Sequence, residues 1–118
     1  MAWFNQANKF RPGTRCAICR VEPAVDRDHA LYPRPSGKRR SVKWLVFLEH
    51  DFNLQPACAN CNRWERKADR YQAKFDHVVR MMILKPEEFK EWHESYPGKR
   101  LGKWDEVDRM ITAYERSK

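Results

Sequence analysis

From residue 64 onward, apolar side chains return every three or four positions. Trp64, Ala68, Tyr71, Phe75, Val78 and Met82 stand at i, i+4, i+7, i+11, i+14 and i+18. That period predicts one long amphipathic helix with its apolar stripe in the core. It should begin near Cys58 or Cys61, just after Pro56, and end before Pro86. Arg63, Lys67, Arg70 and Lys74 form a basic stripe beside the apolar one. Phe89, Trp92 and Tyr96 predict a second helix ending at Tyr96-Pro97-Gly98, and Trp104, Val107, Ile111 and Tyr114 predict a third.

The first half has a shorter rhythm. Pro23 and Pro33 bracket "AVDRDHAL" (24–31), which reads as a short strand. "RPSGKRRSVK" (34–43) reads as a loop or hairpin tip, and apolar, β-rich "WLVFL" (Trp44–Leu48) as a second strand. "EHDFNLQP" (49–56) reads as a turn, and residues 1–15 as a basic lead-in with Trp3, Phe4 and Phe10 available to pack. The expected order is strand, basic loop, strand, helix, then two more helices: an α+β chain without internal repeats.

At 118 residues the chain is expected to form a single domain (1–118). Hydrophobic residues at 42% exclude wholesale disorder. No run reaches the ~18 apolar residues of a membrane span, and the N-terminus lacks a signal-peptide core. The chain therefore reads as soluble and cytoplasmic, with no membrane partner. Charge adds a direction. Residues 1–84 carry 16 Lys/Arg against 8 Asp/Glu, and residues 85–118 carry 8 of each, so the whole net +8 lies in the front. A basic front half fits a polyanion partner, and equally a solubilising surface.

The cysteines fall in two pairs, Cys16-Ala17-Ile18-Cys19 and Cys58-Ala59-Asn60-Cys61. In a reducing compartment two such pairs point to one closed tetrahedral zinc site with no open position for chemistry. A dithiol redox protein would need only one pair. The 38 residues between Cys19 and Cys58 exceed what a zinc ribbon needs. Zinc would staple the ends of something larger.

Inside that span stand Asp28-His29, then Asn53, then Asn62 directly after the second cysteine pair. The ordered set over residues 16–67, including "FNLQPACANCNRWERK", resembles the HNH (His-Me finger, ββα-metal) nuclease family. The resemblance implies a zinc-stapled ββα-metal core (16–67) with a C-terminal helical extension (85–118). It implies a divalent-metal-dependent DNA endonuclease that nicks or cuts both strands, of a kind often found in phage or mobile-element DNA processing. His29 would be the general base, Asp28 and Asn62 the ligands of the catalytic ion, and Asn53 the residue that fixes the His-bearing loop. The chain departs from most members at Asn62, where a histidine is usual. Some members, including the HNH domain of CRISPR effector nucleases, share the Asp-His pair and final Asn. Oxygen in place of nitrogen favours Mg²⁺ or Mn²⁺ over Ni²⁺ or Zn²⁺ as the catalytic ion.

The chemistry is coherent in its own terms. Phosphodiester hydrolysis needs a base near neutral pKa and a cation facing the phosphate, which an imidazole and a carboxylate-amide pair can supply. Arg34, Lys38, Arg39, Arg40 and Lys43 lie between base and middle Asn with no acid among them. With Arg63, Arg66, Lys67, Arg70 and Lys74 they are expected to grip the DNA backbone. Asp26 could act behind Asp28, or be a surface carboxylate. His50 could touch the scissile phosphate, while His77 and His93 are expected to be ordinary surface or partly buried residues. One site cuts one strand, so a double-strand break would take a dimer or two nicks. The rival readings are a non-catalytic zinc-dependent nucleic-acid-binding module, which has no use for the Asp-His pair aligned with Asn62, and a redox or iron–sulfur protein, which has no use for the cations.

Overall fold

The computed structural model describes residues 13–35, 37–63 and 67–118, with the side chains of 62–63 and 67–70 outside the description. In chain order its elements are β1 (Asp26–His29), α1 (Val42–Leu48), β2 (Leu54–Ala57), α2 (Ala59–Arg63), α3 (Lys67–Leu84), α4 (Pro86–Glu94) and α5 (Lys103–Arg116). Among the described residues this is an α+β fold with one two-stranded antiparallel sheet. No helix among them is long and apolar enough to cross a membrane.

β1 lies inside the proline-bracketed segment as expected. Its partner is not "WLVFL". That stretch is helix α1, and the second strand is Leu54–Ala57, which begins in the segment expected to be a turn and runs into the second cysteine pair. The reason is tertiary. Trp44, Phe47 and Leu48 stand at i, i+3 and i+4 and face the core, while Val42 and Val46 are exposed on the other side. A helix buries the large aromatic residues together; a strand would have split Phe47 from Trp44 and Leu48. The basic segment before it is likewise not an open loop, since Gly37–Arg40 form a 3₁₀ turn and Val42 and Lys43 already belong to α1.

β1 and β2 pair in the register Asp26↔Ala57, Arg27↔Pro56, Asp28↔Gln55 and His29↔Leu54. Pro56 has no N–H to give, which suits an edge strand, and its carbonyl accepts from Ala17 N–H at 2.9 Å. The first cysteine turn is thereby tied to the sheet.

Two clusters of buried side chains hold the elements. The larger brings Leu31, Tyr32, Phe47, Leu48, Val78, Met82, Phe89 and Trp92 together with Trp104, Val107 and Ile111. Phe47 and Trp92 stack at 4.4 Å, and Trp92 Nε1 donates to Phe47 O at 3.1 Å. α4 begins on Pro86 at its first turn, where a missing N–H costs nothing. Tyr96 lies past the end of α4 rather than within it, stacked on Tyr32. The turn after it passes so close that a Cβ on Gly98 would stand 2.8 Å from the Trp44 ring. The smaller cluster joins Cys16, Ile18, Ala57, Cys58, Cys61 and Ala73.

α3 serves both clusters, and this shifts its inward line from the expected one. Val78 and Met82 are buried as expected and Phe75 is half-buried, but Tyr71 is 59% exposed. Ala73 takes an inward place instead, 3% exposed and packed in the cysteine cluster. Trp64 and Ala68 of the expected stripe, and Trp3, Phe4 and Phe10, lie outside the described residues or side chains. His77 and His93 are also not surface residues: both are buried to 2% exposure.

Candidate metal centre and the Asp28–His29 strand

The four cysteine sulfurs, from two pairs with 38 residues between Cys19 and Cys58, lie within 4.8 Å of one another. Each pair forms a turn that aims backbone N–H groups at sulfur. Ile18 N and Cys19 N point to Cys16 Sγ at 3.3 and 3.5 Å, and Cys61 N points to Cys58 Sγ at 3.4 Å. The first turn closes with Arg20 in the left-handed region at φ 64°, its N–H bonded to Cys16 O at 2.9 Å.

The residues fit a zinc ion. Tetrahedral Zn–S bonds of about 2.3 Å require sulfurs about 3.8 Å apart. Cys19 Sγ and Cys58 Sγ are 4.0 Å apart, and no cysteine is in a disulfide. Burial pushes the Cys61 thiol up to about 12, whereas backbone donors near Glu22 and Val21 bring Cys19 down to about 7. A buried thiol so reluctant to ionise becomes a thiolate when a cation shares its site. The four-cysteine cluster thus has the donor set and spacing of a structural zinc site, and it joins the first cysteine turn, the end of β2 and the start of α2.

Successive β1 side chains face opposite ways. Asp28 turns inward, is 5% exposed, and its Oδ2 accepts from Gln55 Nε2 at 2.9 Å, its own cross-strand neighbour. Asp26, on the same face, is half-buried. His29 turns the other way, and its Nε2 lies 3.0 Å from Glu49 Oε1 just past α1.

Asn53, fully buried, joins these pieces. Its Oδ1 accepts from Leu31 N and Tyr32 N at 3.0 and 2.8 Å. Its Nδ2 donates to Tyr32 O and Leu48 O at 3.0 and 2.7 Å. Its carbonyl accepts from Ala30 N–H at 2.7 Å. Its side-chain amide therefore clamps Leu31, Tyr32 and Leu48, and its carbonyl adds Ala30.

His50 is turned to a local task, with Nδ1 accepting from Phe52 N at 3.0 Å, and burial lowers its pKa. His77 Nε2 donates to Phe52 O at 2.6 Å, and burial lowers its pKa to about 4. His93 stacks on Trp104 at 4.4 Å and meets Asp108 Oδ1 at 3.2 Å. With Glu94 these form a second group of metal-capable side chains, although Glu94 is already paired with Arg100 at 2.9 Å. Neither this group nor the cysteines include Asp28 or His29 among the described residues.

Lys38, Arg40 and Lys43 are exposed, and Arg39 is half-exposed with its guanidinium 4.9 Å over Trp44. Lys74 is paired with Glu106 at 3.0 Å. Asn62, Arg63, Arg66, Lys67 and Arg70 fall outside the described side chains. Sequence reasoning passed over Glu49 and Gln55. Gln55 faces Asp28 only in this strand register, and Glu49 reaches His29 only because residues 44–48 are helical; neither has a local signature.

Compared with protein-family models, curated proteins and solved structures, the chain matches none.

Proposed function

We propose that this chain is a divalent-metal-dependent DNA endonuclease of the HNH, ββα-metal kind, with a structural zinc in its four cysteines. The observation that carries the reading is the Asn53 clamp. The residue that the family resemblance casts as fixing the His-bearing loop has its whole amide committed to residues 31, 32 and 48. The antiparallel pair, followed by a helix with the second cysteine pair at its start, supports it too.

In this reading His29 takes a proton from water, which attacks the phosphate and leaves a 5′-phosphate and a 3′-hydroxyl. A hard divalent ion supplies Lewis-acid stabilisation of the phosphate charge when bound. Asp28 would hold it through its carboxylate, together with Asn62. Lys38, Arg39, Arg40 and Lys43 would hold DNA. Lys38, Arg39 and Arg40 stand just before α1 and Lys43 in its first turn, on the helix whose C-cap is Glu49.

One observation favours the non-catalytic nucleic-acid-binding alternative: Asp28 is buried against Gln55 and joins no metal-capable group among the described residues. Incubation of supercoiled plasmid with zinc-loaded protein separates the two. Nicking that requires added Mg²⁺ or Mn²⁺, and that His29→Ala abolishes without weakening DNA binding, is expected of the nuclease. Binding without nicking under any divalent ion would leave the binding module.

A further inference from the structure

The His29–Glu49 contact is not a surface ion pair in the ordinary sense. The two side chains are 11% and 16% exposed, so their hydrogen bond is largely shielded from water. The two are 20 residues apart in sequence, His29 at the end of β1 and Glu49 at the C-cap of α1. The segments that carry them are tied together by Asn53, whose amide bonds Leu48 O on one side and Leu31 N and Tyr32 N on the other. Glu49 itself caps α1, with its N–H on Leu45 O at 3.0 Å. A carboxylate at a helix C-terminus is opposed by the backbone carbonyls there, so its placement needs a partner, and the imidazole N–H is that partner.

We propose that Glu49 is a positioning residue for His29: its carboxylate accepts the Nε2–H and leaves Nδ1 as the nitrogen that receives a proton. His29 Nε2 can meet a carboxylate only as a donor, which fixes the tautomer with the lone pair on Nδ1. Nδ1 has no hydrogen bond among the described residues. The kinetic consequence rests on the nuclease reading. There, water gives its proton to Nδ1 as the new O–P bond forms and the bond to the 3′ oxygen breaks, and that oxygen collects a proton from solvent. The imidazolium that results keeps its Nε2–H on Glu49, which offsets its charge, as the buried Asp does in a serine-protease triad. In this account Asn53 acts at one remove, by keeping Glu49 and His29 in reach.

The test uses ¹⁵N-histidine-labelled, zinc-loaded protein. A His29 ring-proton resonance, identified by its loss in His29→Ala, should be slow to exchange in the wild type, retained in Glu49→Gln, and lost in Glu49→Ala. In plasmid nicking, Glu49→Ala should lower kcat roughly 10- to 100-fold with KM and zinc content unchanged, and Glu49→Gln should lose less. In a His29→Ala background, Glu49→Ala should cost nothing further. A ring proton that persists in Glu49→Ala, or an unchanged kcat in a variant that has lost it, overturns the assignment. A wild type that never nicks sinks the nuclease reading instead, and the ring proton alone then decides whether Glu49 holds His29.

Discussion

Asn53 and His77 are buried polar residues whose segments meet at Phe52, and each shows what burial demands of a polar side chain. Asn53 satisfies its amide completely, with two donors and two accepted bonds, so its burial leaves no orphan group. His77 is satisfied only as a neutral ring, donating to Phe52 O while burial holds its pKa near 4, with Arg80 lowering it further and Asp28 opposing. The sign of the resulting pH dependence follows. The folded-state pKa lies below the ordinary 6.5, so the unfolded chain takes up the proton first. The stabilisation is present above pH 6.5 and is lost as pH falls toward about 4. His77→Gln keeps an amide donor but cannot titrate. The stability gap between wild type and His77→Gln should therefore narrow by about 2 kcal/mol from pH 7 to pH 5 in urea unfolding with zinc present. Parallel pH profiles would show that His77 does not charge on unfolding.

Among the elements, α1 is where sequence and structure part. Its residues favour strands, and local propensity is weak enough for packing to override. What decides is that a helix puts Trp44, Phe47 and Leu48 on one face against Tyr32, Trp92 and Tyr96. The i, i+3, i+4 spacing was present in "WLVFL" but spans too few residues to tell a helix from a strand alone. The two alternatives assign Val46 differently. A strand would bury it beside Trp44 and Leu48, whereas the helix leaves it 62% exposed and buries Phe47 to 2%. Val46→Lys should change stability by no more than about 0.5 kcal/mol, and Phe47→Ala should cost roughly 3–5 kcal/mol, both from denaturant midpoints. The reverse ranking would return these residues to a strand.

For the whole molecule, the four-cysteine cluster and the aromatic cluster are two separate groups of buried side chains, linked by α3 and the sheet. Metal binding at the four cysteines is folding free energy, because the unfolded chain has no preformed site. One zinc per chain is expected by elemental analysis, and Cys58→Ser should lose it and melt the domain. Asp28→Asn should retain it in full; zinc loss in that variant would move Asp28 into the zinc centre. The four-cysteine cluster was legible in the sequence because CxxC is a local geometry: two thiols three residues apart turn toward one point wherever the chain carries them. The three C-terminal helices were legible for the same reason, their periods being long enough to average over single exceptions such as Tyr71. The spacing of Asp28, His29, Asn53 and Asn62 likewise stood in the chain and suggested a site. The location of β2, the helical state of α1, the Gln55–Asp28 and Glu49–His29 contacts and the four partners of Asn53 did not. Each depends on which distant segment lies alongside, and no short window of sequence holds that information. Composition and spacing fixed which groups are available; packing decided which of them meet.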